Sequence, residues 1–194
     1  MTMIHDGAGS GRSAKVNSDN NLNVHATSAS QQHTISEHNG QAYQAWGLTD
    51  TLTSATIPIL HLKNTSADKQ MVITFVRFQT IDNNVSAGVG EYFAVGFGRT
   101  YSSGGTEMTP VNLNTSSGNK AEATAYQSTP TLAGTNVEID RAYNKAEGEI
   151  VTFNKDGSIV VGPNDTIEFY YVGTSTAGVA YARCSFYMQE IGSH

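Results

Sequence analysis

Three kinds of side chain in this sequence could do chemistry: histidines near its start, paired carboxylates in its second half and a single cysteine. His25, His33 and His38 follow His5, and Glu37 stands beside the last of them. Imidazoles and carboxylates are metal ligands. Spacings of eight and five residues, however, fit none of the compact motifs, whose ligands sit close together on one rigid element. A three-fold assembly could gather copies of one histidine around an ion, but solvated or interface histidines are the better reading, and no metal or cofactor is expected. His61, between Leu60 and Leu62, reads as a satisfied strand histidine. Glu138 and Asp140 share a face at period two, as do Glu147 and Glu149 if extended. Such pairs can hydrolyse glycosides when held apart across a groove, yet the aromatics that line sugar grooves are not grouped near them. Cys184 falls on an alternating apolar face, which makes it a small buried hydrophobe rather than a nucleophile.

Two further motifs fail on their chemistry. Gly7-Ala-Gly9-Ser-Gly11-Arg12-Ser13 echoes a phosphate-binding loop, but Asp6 stands where the first glycine belongs and Arg12 replaces the lysine. Asp19-Asn-Asn21-Leu-Asn23 has the first ligands of a calcium loop without its glycine or distal glutamate. With no catalytic constellation left, a non-enzymatic protein is expected.

The elements that position these residues read as strands. Ile57–Leu62 and Met71–Thr80 are apolar on both faces, as in strands covered on two sides, with a polar connection of hairpin length between them. Glu91–Gly98, Val137–Tyr143, Thr166–Val172 and Val179–Glu190 follow. In the last of these, Ala182, Cys184, Phe186 and Met188 alternate with polar residues and are predicted to face the core. Glu149–Gly162 reads as a hairpin turning at Asp156-Gly157. Thr109–Thr135 is predicted to be a loop with partial structure, Lys120–Tyr126 forming one or two helical turns. At least eight strand-length segments at turn-punctuated spacing make the fold class all-β: a β-sandwich, jelly-roll-like, with an extended N-terminal arm.

That arm is set at residues 1–48 and the sandwich at 49–194. Large apolar residues number 10 before position 51 and 44 after it. The leader therefore buries too little to offset ordering, which costs ~1–2 kcal/mol per backbone residue, and must gain its shape against another surface. Residues 5–15 read as linker. Leu22 and Val24 lie on one side of a short extended stretch, and Tyr43 and Trp46 are the leader's only aromatics. These four are the expected anchors to a partner.

Net charge is −6 with no basic stripe, which argues against direct nucleic-acid binding. No apolar run is long enough to span a membrane, and the opening residues carry no apolar signal segment, so synthesis in the cytosol is expected.

Two stretches carry a resemblance. Asp6–Tyr43 (DGAGSGRSAKVNSDNNLNVHATSASQQHTISEHNGQAY) is similar to N-terminal segments of structural proteins of tailed bacteriophages. Thr109–Ala125 (TPVNLNTSSGNKAEATA) resembles a stretch common in small β-rich virion proteins. The resemblance implies a capsid decoration (cement) protein on the virion exterior, a homotrimer whose arms lie across the major capsid protein, and it brings no catalytic residues. The alternative is a receptor- or glycan-binding module of a head or tail fibre, for which the tyrosine-rich stretches Glu168–Val172 and Tyr181–Tyr187 speak.

Overall fold

The computed structural model describes residues 3–5, 13–15, 31–53, 55–81 and 90–192, in two compact units, Met1–Ser30 and Gln31–His194. In the first, β1 (Met3–His5) pairs antiparallel with β2 (Ser13–Lys15), Ile4 opposite Ala14. These short strands occupy both ends of the stretch read as linker.

The second unit opens with a single helical turn, α1 (Gln31–Thr34), continued by a π-helical turn over Ile35–Asn39. Thirteen strands follow among the described residues. They are β3 (Ala42–Leu48), β4 (Thr56–Asn64), β5 (Lys69–Ile81), β6 (Tyr92–Phe97), β7 (Thr100–Ser103), β8 (Thr106–Met108) and β9 (Val111–Asn112). After them come β10 (Ala123–Gln127), β11 (Thr131–Ala133), β12 (Val137–Tyr143), β13 (Ile150–Val161), β14 (Thr166–Val172) and β15 (Val179–Glu190). One sheet has the order β12-β6-β14-β4-β10-β8 and the other β13-β5-β15-β3-β9, while β7 and β11 form a separate pair.

Eight of these strands form the framework: β3, β4, β5, β6, β12, β13, β14 and β15. Numbered along the chain, the first, eighth, third and sixth make one sheet, and the second, seventh, fourth and fifth make the other. That is the jelly roll, two Greek keys wrapped face to face. Residues between β6 and β12 add β8 and β10 to one sheet and β9 to the other. Between the sheets Phe78 of β5 stacks on Phe93 of β6 at 4.9 Å and meets Phe153 of β13 edge-on at 5.6 Å. Cys184, Phe186 and Met188 join this core, as their alternation requires.

Four expectations change. Residues 149–162 are not a hairpin. Ile150–Val161 is one strand, and both halves pair with β5, whose thirteen residues offer a longer partner than either half offers the other. The Asp-Gly signal instead serves a bulge: the register jumps from Asn154 opposite Phe75 to Ile159 opposite Ile73, and Gly157 takes φ +82°. Lys120–Tyr126 yields no helix, because Ala123 and Ala125 enter the core and β10 pairs with both β4 and β8. Tertiary pairing overrides the helical propensity of an alanine-rich run. The polar turn after β4 crosses between sheets rather than closing a hairpin, since β4 and β5 lie in different sheets. The boundary at residue 48 also moves: Ala42–Leu48 is an internal strand between β15 and β9, and the compact unit begins at Gln31.

Candidate functional site

Four backbone carbonyls between Ser36 and Ala42 accept from β9 and the loop that follows it. Asn112 donates its amide to Gly40 O at 2.8 Å and to Asn119 O at 2.9 Å. Asn114 donates to Ser36 O at 2.9 Å, and Asn119 to Asn39 O at 2.8 Å. The backbone of Leu113 reaches Ala42 O at 2.8 Å. The loop holds its own shape through the same side chains: Asn112 Oδ1 accepts from the Asn114 amide and Asn114 Oδ1 from that of Ser116. Asparagine suits this work because one carboxamide both donates and accepts, and it stabilises tight turns locally.

Gly40 is the complementary piece. It caps the π-helical turn at φ +58°, and a Cβ there would lie 2.2 Å from Ser117 Oγ. Ile35 anchors the same segment by packing with Ala42, Val72 and Tyr187 on the outer face of the five-stranded sheet. Residues 36–42 and 112–119 therefore meet in space as the two halves of one clamp. No spacing within either stretch announces it, because the pairing spans more than seventy residues. The usable signal was the concentration of Asn and Ser in both.

The expected anchors separate. Leu22 and Val24 lie outside the described residues. Tyr43, at 2% exposure, faces the core, where it meets Phe186 at 5.7 Å and donates its hydroxyl to Lys120 O at 3.1 Å. Becoming part of a central strand removes it as an anchor for another molecule. Trp46 points the other way along β3, is 39% exposed and stands in register with Arg183.

The carboxylate pair also separates. A register shift between Glu138 and Asp140 sets Glu138 opposite Gly96 and Asp140 opposite Val95, so the two no longer share a face. Glu138 accepts from Arg141 at 2.5 Å and from the Tyr170 hydroxyl at 2.9 Å, and Asp140 pairs with Lys155. Burial, with Glu138 beside it, raises the Tyr170 hydroxyl well above the usual phenol range. Glu149 accepts from the Lys145 backbone in a turn, not an extended strand. On the same outer face of the six-stranded sheet, buried Glu168 holds Arg99 through both carboxylate oxygens, one contact at 2.8 Å. The Arg99 carbonyl in turn accepts from Thr166 at 2.7 Å and lies 3.2 Å from His61 Nε2. His61 Nδ1 has no partner among the described residues, which satisfy one side of its ring. Glu138, Asp140 and Glu168 each tie distant parts of the chain together, a structural network rather than an acid–base pair facing a groove.

Cys184 is wholly buried, and burial pushes its thiol far above the usual range. His33 lies 3.5 Å from Glu37, and among the described residues no three His, Cys, Asp or Glu side chains stand close enough to hold a metal ion. No helix among them is long and apolar enough to cross a membrane.

A cleft of ≈ 510 Å³ opens where β12 and β13 end their sheets, with Ile159, Val161 and Ile167 in its wall. Phe97, Ile139 and Val160 are about half exposed at its rim, at 45%, 44% and 50%. Comparison with protein-family models and with curated proteins finds no match to this chain.

Proposed function

We propose that this chain is a non-enzymatic virion structural protein, a capsid decoration (cement) protein of a tailed bacteriophage. It acts as a homotrimer on the capsid exterior and grips the major capsid protein through the residues that precede the clamp. The observation that carries this reading is the clamp itself. Beyond the strands that build the core, a further loop of three asparagines fixes Ser36–Ala42. A chain that transmits load from a bound leader to a sandwich needs such a joint, because binding energy gained by residues 1–30 is useful only if their root cannot peel away.

Ordering thirty residues costs tens of kcal/mol at ~1–2 kcal/mol each, so the capsid contact must be large, on the order of 1,000–3,000 Å². The test is co-sedimentation with undecorated shells of the full chain and of a form lacking residues 1–30. The truncated form is expected to fold and to stay in the supernatant. Equal binding by both forms would dismiss the arm as the attachment.

A second reading, a receptor- or glycan-binding module of a head or tail fibre, is favoured by the exposed Trp46 beside Arg183. Saturable sugar binding by the isolated protein is its test.

A further inference from the structure

The outer face of the five-stranded sheet carries two arginines where a stable sheet would avoid them. Arg77 of β5 and Arg183 of β15 are register partners, Trp46 of β3 stands opposite Arg183, and Thr152 of β13 stands opposite Arg77. Their strand neighbours Ala45, Val76, Phe78, Ala182 and Cys184 belong to the core, so alternation turns this whole row outward. Like charges directly opposite each other destabilise an antiparallel pair. This pair persists in a chain of net charge −6, and no ion pair among the described residues includes either arginine.

The two guanidinium groups are held in place without being neutralised. Arg77 donates through Nη2 to Gln79 Oε1 at 3.2 Å, and the Arg183 guanidinium lies 5.5 Å from the centre of the Phe75 ring. The Nε atom of each is covered from solvent and has no hydrogen-bond partner among the described residues. Ile35 and its helical turn cover only the end of this face around Ala42, Val72 and Tyr187, three residues or more along the strands from the arginine row.

We infer that the row Trp46–Arg183–Arg77 is a binding site for a carboxylate-bearing saccharide. The chemistry fits in three parts. A planar carboxylate takes two parallel N–H bonds from a guanidinium fork, and a second arginine alongside shares its charge. The exposed indole offers a rigid apolar plane for the C–H face of a sugar ring. Thr152, opposite Arg77, supplies a neutral hydroxyl that both donates to and accepts from ring hydroxyls, while Gln79 is engaged by Arg77 and the Gly148 carbonyl. A protein partner would need a dry cluster of several large apolar anchors; the row itself offers one exposed indole, and the exposed Ile150 and Ile81 of the same face lie two and four positions further along the strands. The inference rests on the glycan-binding reading and not on attachment to a capsid.

Trp46 is the only tryptophan, so its fluorescence reports on the site directly. The full chain is titrated with oligogalacturonate and sialyllactose, and in parallel with neutral galacto-oligosaccharide, lactose and poly-glutamate. Saturable quenching by the acidic sugars is expected, weakened by salt, with the neutral sugars about tenfold or more weaker. Arg183→Gln and Arg77→Gln are each expected to weaken the acidic sugars by about tenfold as well. Both variants relieve like-charge repulsion, so their thermal midpoints are expected to match or exceed that of the parent. Equal response to neutral and acidic sugars would overturn the charge selectivity while leaving glycan binding standing. If no sugar responds, both readings fall. Arginine-dependent binding of poly-glutamate without any sugar response would reassign the row to an acidic protein surface.

Discussion

His61 is 1% exposed, and its Nε2 faces the Arg99 carbonyl, so in the neutral ring the proton sits on Nε2 and donates. A second proton would have to go to Nδ1, which has no acceptor among the described residues. Burial holds the imidazole below its ordinary value; the Arg99 hydrogen bond opposes this, and the charges of Arg99 and Lys63 add to it. The folded protein therefore binds fewer protons than the unfolded chain once pH falls below about 6.5. This histidine's contribution to stability is present above that value and is lost as the solution is acidified. Urea midpoints measured from about pH 7.5 down to about pH 5.5 should fall for the parent and fall less for His61→Gln, which cannot titrate. Glu168 bears on the same cluster. At 1% side-chain exposure it neutralises Arg99, itself 17% exposed. Glu168→Ala leaves a largely buried guanidinium unpaired and is expected to cost about 3–5 kcal/mol in denaturant titrations. A loss of only a few tenths would mean that water replaces the carboxylate freely.

Elements show where local pattern is overruled by partners. The Asp156-Gly157 signal is a genuine demand for positive φ, and Gly157 supplies it, but the demand arises from a bulge within β13. The same dipeptide serves a hairpin or a bulge according to what each flank pairs with, and β5 is far away in sequence. The clamp has the same character. Asn112, Asn114 and Asn119 read as loop residues, and their targets lie at positions 36–40. Gly40→Ala is expected to destabilise this junction by about 1 kcal/mol or more, since an alanine must adopt positive φ and its methyl would meet Ser117. Hydrogen exchange is the fitting readout. The amides of Gln41 and Leu113, which close the junction, should exchange faster, while β5 and β15 amides in the sheet centre stay protected.

For the whole molecule, the position of the cut matters to the arm test. A deletion at residue 40 would remove Ile35, uncover Val72 and Tyr187 and leave the asparagine amides without their carbonyls. A deletion at residue 30 spares all of these, because the compact unit starts at Gln31. Loss of shell binding by the shorter deletion, with an unchanged melting midpoint, would assign attachment to residues 1–30 alone. Loss of both would mean that the leader also supports the sandwich. The outer faces of the two sheets differ in kind. One is crossed by Arg99, Glu168, Tyr170 and Glu138, each tied to a partner. The other presents an arginine pair without a counter-charge among the described residues.

Sequence alone determined the all-β class, the strand-rich body and the core face of β15, because alternation at period two is a local property imposed by burial on one side. It also marked Gly157 as a positive-φ position and Cys184 as buried. Only the tertiary structure decided which strands pair, that β3 belongs to the sandwich, that Tyr43 and Trp46 face opposite ways, and that Arg77 meets Arg183. These depend on contacts between residues far apart along the chain. Their energies come from closing the two sheets over one core, and no short window of residues contains both sides of such a contact.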